Sequence, residues 1–280
     1  MAKQKSPAPA PAPPTDIFAG SSSKALTRGL EILRLLVESE PMTSTEVAER
    51  LGLHQSSASR ILKTLAAAGY VRKPTYQSFT VDYGILTMAG RGLRNFPLML
   101  KPRAAITELA NRNPKFLITL STLWQNELIY LMRAQAGQDV ISGYAGSYPL
   151  HLSVVALRLL LDKPEKEALE VLNASRRRYG WERPTPLVPA TPAECLKFAR
   201  SCLRHDCLAL IDYQGKDTTS ASIPIAAHGE PVCALALTIK EKVRGIESML
   251  LNLQDGRRHI EAVMNETATT GVRGQGSGVS

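Results

Sequence analysis

Between positions 56 and 63 the chain gathers Ser56, Ser59, Arg60 and Lys63. A guanidinium and an ammonium with short hydroxyls beside them are equipped to bind phosphate oxygens and the edges of bases. At about 100° per residue, Ala58, Ile61, Leu62 and Leu65 form an apolar stripe, while Ser56, Ser59, Arg60 and Lys63 fall on the opposite side. One side packs and the other is free to touch a partner.

From Arg50 to Val81 the basic residues Arg50, Arg60, Lys63, Arg72 and Lys73 occur with no Asp or Glu. Most charged helix faces are merely solvated, but such faces mix signs, because like charges repel and Glu pairs with Lys or Arg one turn away. An acid-free run with hydroxyls at a helix N-terminus is what a polyanion needs.

The elements that must position this face are also legible. Thr43 with Glu46 three residues on is a capping box for a helix over 43–51, with Val47 and Leu51 as its buried edge. Gly52 supplies the backbone freedom for a tight turn into a helix over 55–65. An upstream helix with Leu26, Leu30, Leu33 and Val37 at helical spacing is expected to bury that stripe against both. After Gly69, Tyr70-Val71-Arg72-Lys73 and Ser78-Phe79-Thr80-Val81 read as short strands around the turn Pro74-Thr75-Tyr76-Gln77, a basic wing beside the helix. The DNA-contacting set expected from this head is Thr43, Ser44, Gln55, Ser56, Ser57, Ser59, Arg60, Lys63, Arg72, Lys73 and Tyr76.

Charge is uneven along the 280 residues: positions 21–103 hold 12 basic and 6 acidic residues, and positions 104–280 hold 20 and 18. The polyanion signal therefore belongs to the first third. No apolar run approaches the roughly 20 residues that span a bilayer, and the N-terminus has no secretion-signal core. The Pro/Ala-rich stretch 1–20 is expected to be a disordered arm and the Gly/Ser-rich stretch 269–280 a disordered tail. Cys195, Cys202, Cys207 and Cys233 match neither a zinc pattern nor a secreted disulfide framework. Reduced thiols in a cytoplasm, no metal and no cofactor are the expectation.

A connecting helix from Ile85, interrupted by Gly90 and Gly92 and closed at Pro97, carries Arg91 and Arg94 close enough to the head to add charge; a second helix covers about 102–113. Strands then follow at 116–123, 127–133 and about 140–144, helices at 152–161, 164–175 and 192–205, strands at 207–212, 221–226 and 232–239 with a hairpin turn at His228-Gly229-Glu230, and a helix over 246–267. This is an α+β domain with an antiparallel-rich sheet.

Within it His151, following Pro149 at a helix start, could face an anion, although such a histidine is more often structural. Asp212, ending the strand Leu208-Ala209-Leu210-Ile211, could meet a ligand hydroxyl or cap the next loop. Arg176-Arg177-Arg178 reads as a solvated helix end. Two rival classes stay open: a redox or metal sensor using Cys195 and Cys202, and a cysteine/histidine enzyme using His205 or His151. The chain lacks G-x-S-x-G, H-E-x-x-H and any phosphate loop, so no enzyme is expected.

Ala25-Leu26-Thr27-Arg28-Gly29-Leu30-Glu31-Ile32-Leu33, Thr45-Glu46-Val47-Ala48-Glu49-Arg50-Leu51-Gly52-Leu53 and Ser56 to Leu65 ending in Gly69-Tyr70-Val71 resemble the winged helix of the IclR-type bacterial transcriptional regulators. Pro149-Leu150-His151-Leu152-Ser153, and Ser222-Ile223-Pro224-Ile225 with Cys233-Ala234-Leu235-Ala236-Leu237, are similar to that family's second domain. The resemblance covers about residues 21–267. It implies a winged helix-turn-helix at 21–82, a linker helix at 83–101 and a GAF-like α+β effector-binding domain at 102–268. It further implies a cytoplasmic homodimer or tetramer that binds a near-palindromic double-stranded operator, away from any membrane, under control of a small organic acid or aromatic catabolite. Carried over position by position, the effector pocket would involve Tyr144, His151, Val154, Val155, Asp212, Ser220, Ala236 and Thr238. The chain departs from the family there: Ala156-Leu157-Arg158 stand where Gly-Lys-Ala is common, Ser220 where a cysteine is frequent, and Ala236 and Thr238 where two serines are usual.

Overall fold

The computed structural model describes residues 23–266 except 147, 228, 229, 242 and 244. The expected disordered arm and tail, the last residue of the final helix and the tip of the 228–230 hairpin lie outside the described residues. The chain divides into two compact units. One holds the described residues up to Phe96 together with Val171–Trp181, and the other holds the remainder from Pro97.

The head runs α1 (Lys24–Glu38), β1 (Met42–Thr43), α2 (Ser44–Leu51), α3 (Gln55–Ala67), β2 (Val71–Arg72), β3 (Ser78–Val81) and α4 (Tyr83–Gly92). The capping box forms: Thr43 Oγ1 accepts the Glu46 amide and the Glu46 carboxylate receives the Thr43 amide, which holds the Glu46 carboxyl below the usual range. Gly52 ends α2 in the left-handed region at φ 61°, where a Cβ would be strained. Ala58 and Leu62 from α3 are fully buried with Ile32 and Leu36 from α1, Val47 from α2, and Val71 and Phe79 from the wing, while Ile61 and Leu65 pack against this cluster. Each fully buried Leu or Ile stabilises by about 1.5–3 kcal/mol, so this small core sets which way α3 faces.

The face of α1 is a correction. The stripe expected to bury itself is largely outside, with Leu26 at 64%, Leu30 at 42% and Val37 at 58% exposure, and only Leu33 of that set packs on the core. Ile32, Leu35 and Leu36 do the packing instead. The helix carries two apolar stripes about 135° apart, and the core uses the second. The wing sheet also has a third strand that sequence did not indicate: its order is β1-β3-β2, with Met42 opposite Phe79. At the end of the wing, Gly84 donates its amide to the Gly69 carbonyl, and a Cβ there would lie 2.3 Å from that oxygen; only glycine lets α4 start so close.

From Pro97 on the chain runs α5 (Arg103–Arg112), β4 (Leu117–Trp124), β5 (Glu127–Ala134), β6 (Ile141–Gly146), α6 (Val154–Leu160), α7 (Glu165–Tyr179), α8 (Pro192–Ser201), β7 (Leu203–Arg204), β8 (Cys207–Ile211), β9 (Thr219–Ala227), β10 (Glu230–Ile239) and α9 (Glu247–Asn265), all in the second unit except α7 from Val171. Seven strands form one antiparallel sheet in the order β6-β5-β4-β10-β9-β8-β7. Side chains alternate across it. Ile118, Leu120, Leu235, Leu237, Ala221 and Ile223 face a core shared with Leu109 of α5 and Leu253 and Ile260 of α9. Gly256 lets α9 close on this face, since a Cβ would come within 2.9 Å of Leu235 and Leu109 side chains. On the other face α6 packs against β4, β8, β9 and β10.

Two local readings differ. The helix expected to reach His205 stops at Ser201, and the chain doubles back through β7 with His205 at φ 52°. The linker stays helical through Gly90 and Gly92 before two short 3-10 turns. No helix among the described residues is long and apolar enough to cross a membrane.

Candidate functional site

The burial of Ala58 and Leu62 turns Ser56, Arg60 and Lys63 outward, and all three are exposed, with Ser57 and Ser59 half-buried beside them. Among the described residues the side chains of Arg60, Lys63 and Arg72 have neither an ion-pair nor a hydrogen-bond partner. Unpaired cations stay hydrated and ready to exchange water for phosphate oxygen. Thr43, Gln55 and Lys73 of the expected contact set also make bonds within the head. Thr43 caps α2, Gln55 Nε2 donates to Thr45 Oγ1 at 2.8 Å across the turn, and Ser44 is half-buried in the first turn of α2. Lys73 is folded back: its Nζ donates to the Tyr76 carbonyl at 3.3 Å and lies over the Phe79 and Tyr76 rings at 4.9 and 5.7 Å. That geometry pins the wing turn and leaves the Tyr76 side chain 90% exposed at its tip. Arg91 and Arg94 are exposed on and just after α4.

In the second unit, β9 and β10 place Ser220 opposite Thr238 and Ser222 opposite Ala236, on the sheet face that α6 covers. Val154 and Val155 are buried at the start of α6. Tyr144 stands on β6 opposite Tyr130, three strand spacings from β10 and so roughly 14 Å away along the sheet.

His151 is fully buried in a 3-10 turn, its Nε2 2.8 Å from the Glu182 carbonyl oxygen. Burial pushes its pKa down, against the opposing pull of Glu182. The helix N-terminus that follows is closed by Ser153, whose Oγ accepts the Ala156 amide; the contacts of His151 seen here are those of the structural alternative. Asp212 adopts φ 54° and its carboxylate accepts the Asp217 amide, the loop-capping alternative.

Sequence reasoning missed the residues that tie this region together. The Tyr213 hydroxyl donates to the His151 carbonyl at 3.0 Å and lies 3.4 Å from Cys195 Sγ. Gln214 Nε2 donates to the Leu152 carbonyl, and its Oε1 accepts the Ser220 hydroxyl at 2.8 Å. Nothing in an isolated Tyr-Gln pair signals such a brace.

Arg158 is buried on α6, its Nε donating to the Asp206 carbonyl at 2.6 Å and its Nη1 to Asp162 at 2.7 Å. Burial pushes the thiols of Cys195 and Cys207 up to about 11 and that of Cys233 up to about 12, and raises Cys202 as well. The thiolate is the reactive form, so this placement gives the redox alternative no support. Among the described residues no group of three or more His, Cys, Asp or Glu side chains gathers to hold a metal ion.

The comparisons agree with this geometry. Residues 25–74 match the IclR helix-turn-helix domain. The HTH-type transcriptional regulator TsaQ1/TsaQ2 of Comamonas testosteroni is 25% identical over 161 residues, which is 56% of this chain and 58% of that protein, so the match spans less than two thirds of the relative's length. Among solved structures, an IclR family transcriptional regulator from Brucella abortus superposes with a TM-score of 0.69 at 22% identity, covering 86% of this chain and 92% of its own. An IclR homologue from Microbacterium hydrocarbonoxydans, complexed with 4-hydroxybenzoate, gives 0.64 at 21% identity, covering 86% and 98%. The head thus matches the IclR helix-turn-helix domain over residues 25–74, and the chain shares the fold of solved IclR-family regulators over most of its length.

Proposed function

We propose that this protein is a ligand-responsive transcriptional regulator that holds a near-palindromic operator with α3 and the wing and takes a small organic acid or aromatic effector in its second unit. The observation that carries the reading is the outward set of Ser56, Arg60, Lys63 and Arg72, unpaired in a segment without acids. Two copies are needed for a palindrome, and the exposed Leu26, Leu30 and Val37 stripe supports pairing of heads because an isolated head leaves it in water. Such a protein works in the cytoplasm, where the DNA is. The 4-hydroxybenzoate bound to the Microbacterium homologue supports an aromatic acid as the effector class. Regulation then requires only that the effector bind the DNA-competent and incompetent arrangements with different affinity.

Duplexes enriched by the full-length protein from a random pool test the first half: the reading expects an inverted repeat, and enrichment without sequence or symmetry would contradict it. A thermal-shift screen with aromatic and aliphatic acids tests the second, because a ligand of the native state raises the midpoint by mass action.

A further inference from the structure

We propose that Ser121 is a ligand-contacting residue of the second unit, its hydroxyl bonding an uncharged oxygen of an aromatic effector seated between the sheet and α6. The proposal rests on the reading of that face as the effector site and adds a contact to it.

Ser121 lies in the middle of β4, opposite Ala234 of β10 on one side and Tyr130 of β5 on the other. Ala234 in turn stands opposite Pro224 of β9. Residues opposite each other share a face, so Tyr130, Ser121, Ala234 and Pro224 form one row. The adjacent row carries Arg133, Thr119, Ala236 and Ser222. The neighbours of Ser121 along β4 in the other direction, Leu120 and Ile118, belong to the core under α5 and α9. Ser121 therefore points to the side that α6 covers, into a patch of small side chains with one aromatic ring at its edge.

The hydroxyl of Ser121 is 0% exposed and meets no hydrogen-bond partner among the described residues. Its counterparts on β9 are satisfied: Ser222 Oγ donates to the Leu235 carbonyl and Ser220 Oγ to Gln214. A buried hydroxyl without a partner carries its full desolvation cost, so a group that arrives with a hydrogen bond gains at this point more than anywhere else on the face. No carboxylate or cation stands in this row, and Arg133 of the adjacent row is exposed, so a charge brought to Ser121 would be buried uncompensated. The matching group is a phenol-type hydroxyl or a carbonyl, with the ring lying over Ala234 and beside Tyr130.

The test titrates the full-length protein with phenol and with toluene, which share a size and differ by the hydroxyl, following the amide resonances of Thr119, Ser121 and Ala234. Ser121→Ala is expected to lower phenol affinity about tenfold, the scale of one hydrogen bond, and to leave toluene affinity within about twofold. Equal phenol affinity in the two proteins overturns the contact while leaving the effector-site reading in place. Failure of both probes to move these resonances in the unsubstituted protein overturns the effector site and the contact together. The ligand-free Ser121→Ala variant is expected to melt at or above the parent temperature; a lower melting temperature would show the hydroxyl already satisfied, and would also overturn the proposal.

Discussion

The basic residues of the two units are used in opposite ways. In the second unit Arg112 meets Asp255 at 2.8 Å, Arg257 meets Asp206 and Arg200 meets Glu165 at 3.1 Å, and Arg158 is buried against Asp162. On α3 and β2 of the head Arg60, Lys63 and Arg72 meet no carboxylate among the described residues. Basic side chains thus bond within the fold where acids accompany them and stay unpaired where acids are missing. The local supply of Asp and Glu decides which.

The largest effect that tests this contrast belongs to Arg158. Arg158→Ala removes a buried side chain with its bonds to Asp162 and to the Asp206 carbonyl and should cost about 3 kcal/mol in urea unfolding; an unchanged midpoint would place that pair among the decorative ones. Arg60→Ala should do the reverse, weakening the enriched operator by about 1–3 kcal/mol while leaving the unfolding midpoint alone. Loss of stability there would show that Arg60 had a partner in the fold.

His151 gives a pH-dependent version of the same contrast. Its folded-state pKa lies below its ordinary 6.5 because of burial, so under acid the unfolded chain takes a proton that the folded one refuses. Stability is therefore full above about pH 6.5 and falls as the pH drops through that value toward the depressed one. Replacing His151 by Gln should flatten this limb of a pH–stability curve. A limb that persists would assign it to another group. The smallest effect is that of Arg200→Ala, an exposed pair whose removal should change stability by less than about 1 kcal/mol.

The head was largely legible before its structure because several local signals agreed: the Thr43–Glu46 box, Gly52 at the turn, and an apolar stripe opposite an acid-free basic one. The face of α1 was not, because Leu26, Leu30, Leu33 and Val37 keep the same helical period as Ile32, Leu35 and Leu36, and periodicity cannot say which stripe the chain itself covers. Strands β1 and β7 were missed because two residues carry no alternation, and β7 depends on a left-handed His205 that a non-glycine residue does not announce. In the second unit the strands and the apolar core could be read from β-branched runs. The Tyr213 and Gln214 brace and the orphan hydroxyl of Ser121 could not, since both exist only once register brings distant residues onto one face.

Operator affinity measured against salt, for the full-length protein and for Lys63→Ala, tests the central claim most directly. If the outward face of α3 grips the duplex, the slope of log affinity against log salt becomes shallower by roughly one unit, as one phosphate contact is lost, and every sequence is weakened alike. An unchanged affinity and slope in Lys63→Ala, repeated in Arg60→Ala, would mean that this face of the helix is turned away from DNA.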